Sequence, residues 1–197
     1  MTGTIDNPLG LDGFAFCEFT SPDPAIMAKQ LLALGFVAAA RRPEGILFRQ
    51  GRIGFVINSQ EKGRAAEFRR LHGPSACGMG FHVANASDVQ RLALERGAVA
   101  VETADTLLPT AYAIAGIGGS LLYLVDSGPF VTWEEVPGWR EAAATESIGL
   151  DLIDHLTHNV RRGQMRVWSE FYGKLFGFEE QKYFDSRARQ PACSARR

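Results

Sequence analysis

No sign of charge dominates this chain: 21 lysines and arginines stand against 22 acids across 197 residues, so no sequence-wide field draws it to nucleic acid or to an anionic membrane surface. Long apolar runs are also missing. The longest, residues 31–40, reaches roughly half of the ~20 residues that a bilayer span needs, and the start, Met-Thr-Gly-Thr-Ile-Asp, has no basic segment ahead of an apolar one. A cytoplasmic protein acting on small molecules is the expectation, without nucleic acid or membrane as partner. Cysteine is scarce: Cys17, Cys77 and Cys193 are odd in number, widely spaced and free of any C-x-x-C pair, which favours plain thiols over disulfides or a zinc cluster. No G-x-S-x-G or P-loop occurs, and Gly116-Ile117-Gly118-Gly119 precedes no helical pattern, so it reads as a hairpin turn rather than a phosphate cradle. The Arg41-Arg42 and Arg69-Arg70 pairs read as solvated faces.

What the chain does have is a repeat. Leu11-Asp12-Gly13-Phe14 returns as Ile153-Asp154-His155-Leu156, and in both places the Asp is followed 23 residues later by Gly-Phe, at Gly35-Phe36 and Gly177-Phe178, a constant offset of 142. Such a repeat fixes architecture before any local reading does. The first copy begins with an aromatic-rich strand over residues 11–19, then Ser21-Pro22-Asp23-Pro24, which supplies a cap and a first-turn proline for a helix bearing Ile26, Met27, Gln30, Leu31 and Leu34 on one stripe and ending at Gly35. Short apolar runs at 36–40, 46–50 and 53–57, separated by tight turns, predict three strands. A connecting helix over 61–72 leads into a second unit: strand 78–83, helix 87–96, and strands near 98–101, 110–115 and 121–125. Two β-α-β-β-β units result, giving an α+β fold with two four-stranded sheets facing each other around a cavity. Residues 128–149 read as a linker with room for a short helix. A third unit then opens with a strand over 152–160, a helix over 165–176 with Met165, Trp168, Tyr172 and Leu175 on one face, and a strand over 178–184.

Four histidines could carry metal chemistry. A rim of histidines with little cysteine suits a two-histidine, one-carboxylate site for Fe(II). Along a strand, His155 and His158 point to opposite faces and should not share one ion. His155 is then either a ligand or a hydrogen-bonded barrel histidine. His82 lies where paired units can place a ligand, but Gly13 offers it no partner and residues 121–125 hold no carboxylate. His72 fits the negative end of a helix dipole.

The residues Ile153-Asp154-His155-Leu156-Thr157-His158-Asn159-Val160, then Phe171-Tyr172, Leu175-Phe176-Gly177-Phe178 and Lys182-Tyr183-Phe184-Asp185 closely resemble the bacterial 4-hydroxyphenylpyruvate dioxygenase family, as do Asn7-Pro8-Leu9-Gly10 and the run from Leu71 to Met79. The resemblance covers residues 7–185 and implies the paired β-α-β-β-β fold of the vicinal oxygen chelate superfamily. It divides the chain into a non-metal-binding module over 1–127, a linker over 128–149, and the beginning of a catalytic module over 150–185. It further implies Fe(II), with His155 as the first of three metal ligands, a 2-oxo acid and dioxygen as substrates, homogentisate as product in tyrosine catabolism, and a homo-oligomer as one assembly. The second histidine and the glutamate would lie beyond Asp185. After that residue the sequence departs from the family: one synonymous codon choice for residues 186–197, read with an extra A in front, translates as IKGKATGLFSQA, which resembles the family's continuation. The expectation is a one-nucleotide deletion, a truncated second module and no dioxygenase activity from this chain alone. Two other readings stay open, a fragment of a hydroxymandelate synthase-like enzyme and a non-catalytic binding or oligomerisation module.

Overall fold

The computed structural model describes residues 7–180. Strand β1 (Phe14–Thr20) is aromatic and almost wholly buried, as a strand covered on both faces must be. Helix α1 (Pro24–Ala33) follows: the Asp23 carboxylate accepts the Ile26 N–H at 3.1 Å, Pro24 takes a first-turn position, and Gly35 leaves the helix at φ +77°, where a residue with a Cβ would be strained. Strands β2 (Val37–Arg42), β3 (Gly45–Gln50) and β4 (Ile53–Asn58) form two hairpins, and β4 pairs parallel with β1. Helix α2 (Arg64–His72) leads to the second unit, made of β5 (Ser75–His82), α3 (Ala86–Glu95), β6 (Tyr112–Ala115) and β7 (Leu121–Val125). Asn85 caps α3 by accepting the Asp88 N–H, and β6 turns into β7 through a short 3-10 turn with Gly118 and Gly119 at positive φ, the hairpin that its glycines predict.

The predicted units are present, but their assembly differs from two facing sheets. β1 and β5 pair antiparallel and fuse both units into one sheet, ordered β6-β7-β5-β1-β4-β3-β2 with β8 (Glu134–Glu135) at the far edge. The predicted strand at 98–101 shrinks to a bridge between Ala100 and Ile114, because only Val99 and Val101 trade backbone bonds with β6 before the chain turns away at Thr103.

Residues 128–149 lie against the first unit. Phe130 and Trp133 are buried in its core, strand β8 (Glu134–Glu135) closes the sheet edge beside β2, and α4 (Trp139–Glu146) follows. Two glutamates on an edge strand discourage further strand addition. The Gln50 amide then fixes the chain: it donates to the Leu34 carbonyl at 2.8 Å and accepts from the Ile148 and Leu150 N–H groups at 2.9 and 3.2 Å.

The strand predicted over 152–160 does not form. A strand needs a neighbour for its backbone groups, and no described strand lies alongside. Helix α5 (Met165–Phe176) does form. It buries Leu175 and Phe176 against Phe81 and Leu122, while Met165 on the predicted apolar face is about half exposed. Gly177 ends α5 at φ +71° as Gly35 ends α1, so the repeat is real at this turn. Residues 178–180 are irregular, and 181–184 of the predicted last strand, with Cys193, lie outside the described residues.

Candidate functional site

The concave side of the first two units is filled with side chains. Phe16 meets Tyr123 at 5.5 Å and Phe130 at 5.2 Å between ring centroids, and Phe130 meets Trp133 at 5.0 Å. Gly80 makes room for this plug, since a Cβ there would stand 2.4 Å from a Phe16 ring carbon. The cavity expected between the sheets is therefore occupied. What is left is a gap of about 10 Å3 beside Glu18, Asn58 and Tyr123, no more than one water's worth. Glu18 is 3% exposed. Asn58 donates to its Oε1 at 2.7 Å, and the Tyr123 hydroxyl faces it without closing a well-formed hydrogen bond. Burial raises the Glu18 carboxyl above its usual range, against the opposing pull of Asn58 and Tyr123. The neighbouring Cys17 thiol is pushed up to about 12 by burial and by Glu18. Cys17 and Cys77 are free buried thiols, as expected.

The candidate ligand His155 stands on the irregular segment before α5. Its side chain is 78% exposed, and its Nδ1 lies 2.8 Å from Asp154 Oδ2. A carboxylate on Nδ1 fixes the ring and leaves Nε2 free to coordinate. That is one donor. Among the described residues no group of three histidines, cysteines or acids is placed to hold a metal, so by themselves they do not fit an iron centre. His158 has different surroundings: its Nδ1 lies 3.2 Å from the Tyr172 hydroxyl, and burial lowers its pKa. It lines an apolar hollow of about 350 Å3, with Phe14, Met79 and Phe81 on one wall and Leu156, Trp168 and Tyr172 on the other. No carboxylate lines that hollow. It can bind an apolar group, and its titratable side chains are His158 and Tyr172.

The remaining candidates have local explanations. His72 Nε2 meets the Gly118 carbonyl at 2.9 Å and its ring packs on Phe68. Its place in the last turn of α2 is the one expected for it. His82 is exposed at the end of β5, beside Gly13. The arginine pairs are not simply solvated: Arg42 bonds the Leu107 carbonyl and lies over Trp133, and Arg69 bonds Thr20 Oγ1 at 2.7 Å. The sequence reading passed over Glu18 altogether. Its signal was there in Phe14-Ala15-Phe16-Cys17-Glu18-Phe19-Thr20, an acid inside a strand apolar on both faces.

Comparison with known proteins joins these observations. The profile of the family described as hydroxyphenylpyruvate dioxygenase, HPPD, N-terminal, matches residues 5–132. The 4-hydroxyphenylpyruvate dioxygenase of Pseudomonas aeruginosa is 45% identical over 194 residues, covering 91% of this chain and 53% of that protein, so the chain spans about half the length of the curated relatives it matches. Among solved structures, a xylose isomerase-like TIM barrel/4-hydroxyphenylpyruvate dioxygenase fusion protein superposes with a TM-score of 0.74 at 28% identity, covering 91% of this chain and 29% of that one. A mutant 4-hydroxymandelate synthase from Streptomyces coelicolor shares the fold, with a TM-score of 0.64 at 19% identity over 85% of this chain and 53% of its own. With the paired units, the plugged first module and the repeated Asp-Gly/Asp-His opening, these matches make the chain a member of the hydroxyphenylpyruvate dioxygenase family.

Proposed function

We propose that this chain is the N-terminal portion of a dioxygenase that oxidatively decarboxylates 4-hydroxyphenylpyruvate and hydroxylates its ring, giving homogentisate in cytoplasmic tyrosine catabolism. The observation that carries this is the 45% identity to a 4-hydroxyphenylpyruvate dioxygenase along 91% of the chain. In this reading residues 1–127 are a module without metal, 128–149 connect, and the catalytic module begins at about residue 150. His155 is one of three ligands to Fe(II), held by Asp154 with its Nε2 outward. When bound, the metal would supply the site at which a 2-oxo acid and dioxygen meet. The chain's own Asp154 orients His155, and Leu156 and His158 line an apolar space.

The 197-residue polypeptide by itself is inactive in this reading, because one ligand of three cannot hold the metal against water. Oxygen uptake and homogentisate formation with Fe(II) and 4-hydroxyphenylpyruvate provide the test. The chain alone should be silent. A chimera joining residues 1–180 to the remaining half of the Pseudomonas aeruginosa relative should form homogentisate, and His155→Ala in that chimera should abolish it. Turnover by the isolated chain would overturn the inactivity, and a His155→Ala chimera with full activity would remove His155 from the ligand set.

A further inference from the structure

The position equivalent to His155 in the first repeat, Gly13, opens onto a cleft of about 510 Å3. A Cβ at Gly13 would meet nothing within 4 Å, so the place of the histidine is empty space. Arg49, Arg52 and His82 line that space together with one acid, Asp12. His82 is brought beside Gly13 by backbone bonds, the His82 N–H to the Gly13 carbonyl at 3.0 Å and the Asp12 N–H to the His82 carbonyl at 2.8 Å. Arg49 sits opposite Gly54 across the β3–β4 hairpin. Its guanidinium lies over that glycine, with Nη1 3.2 Å from where a Cβ would be. Arg52 is anchored at the rim by Asp151 Oδ2 at 2.6 Å.

Arg49 is the informative member. It is half-buried, and burial alone lowers its pKa, with no acid acting on it. Asp12, the acid that shares the cleft, forms no ion pair with it, nor does any other described residue. A guanidinium taken partly out of water is costly unless an anion meets it, and its planar fork is shaped to take a carboxylate on two N–H groups. Phe14, Leu152 and Ile153 complete the lining with apolar surface, which an inorganic anion would not use.

We propose that this cleft is a binding site in the first module for a small organic carboxylate, with Arg49 holding the carboxylate, His82 donating a further hydrogen bond, and Phe14 and Ile153 covering the apolar body. The site lies at the repeat's counterpart of the ligand position, with the Arg49 guanidinium in place of metal ligands. It does not depend on iron chemistry and stands or falls separately from the dioxygenase reading.

The test is a titration of the 197-residue chain with 3-phenylpropionate, followed by amide chemical shifts at Gly13, Gly54 and His82. Saturable shifts at these positions are expected. The neutral amide of the same acid should bind at least about tenfold more weakly, and Arg49→Gln should weaken the acid by a similar factor, as loss of a charge-assisted hydrogen bond does. Equal binding of acid and amide, tight binding of inorganic phosphate, or an Arg49→Gln protein that binds like the parent would each overturn the proposal. If Arg49→Gln does not fold, Arg49→Lys keeps the charge and should bind more weakly while still preferring acid over amide; loss of that preference would count against the site.

Discussion

At the scale of single residues, Glu18 is the group whose behaviour follows most directly from its surroundings. Its folded-state pKa is raised by burial, so the folded protein holds the proton more tightly than the unfolded chain. The stability that this proton confers is complete below the unfolded value, 4.5, and is lost as pH rises through the folded one. Within that window each pH unit costs about 1.4 kcal/mol. Glu18→Gln keeps an acceptor for Asn58 and cannot ionise. Urea midpoints should nearly coincide for the two proteins at pH 4 and separate in favour of the variant as pH rises towards 8. Equal slopes with pH would show that Glu18 binds its proton no more tightly in the folded protein than in the unfolded chain. Gly80 makes a second residue-level test. A methyl group there would stand 2.4 Å from the Phe16 ring, so Gly80→Ala should lower stability by about 1–3 kcal/mol through overpacking, measured in the same denaturation.

At the scale of elements, the turn signals were the legible part. Asp23-Pro24 starts α1 and Gly35 and Gly177 end α1 and α5, because caps and left-handed glycines act over a few neighbouring residues that the sequence displays side by side. Residues 152–160 have the composition of a strand but no strand partner in the described structure, and a pairing partner is not a local property. The same reason hid the polar site: Glu18 and Asn58 are 40 positions apart, and only the β1–β4 pairing brings them together. Gln50 shows how an element can be fixed from a distance, since its single amide serves the end of α1 and the chain after α4. Gln50→Leu should leave the Ile148 and Leu150 N–H groups without their acceptor, costing about 1–3 kcal/mol. Hydrogen exchange should report faster exchange at 148 and 150 while the β3–β4 ladder keeps its protection.

At the scale of the whole molecule, the alternation of strand and helix patterns over the first 127 residues predicts two like units, but not that β1 and β5 join them in one sheet. Phe16, Tyr123, Phe130 and Trp133 fill the interior between the two units, while the side of Gly13 stays open. Because β1 is bonded to β4 on one side and β5 on the other, the two units should unfold in a single transition, with far-UV circular dichroism and tryptophan fluorescence falling together; separated midpoints would show independent units. The position of β1 also bears on how the protein is made. It is synthesised well ahead of one of its two flanking strands, residues 75–82. Until that segment has been synthesised, the centre of the future sheet has an unsatisfied apolar edge, the kind of nascent surface that holdase chaperones cover.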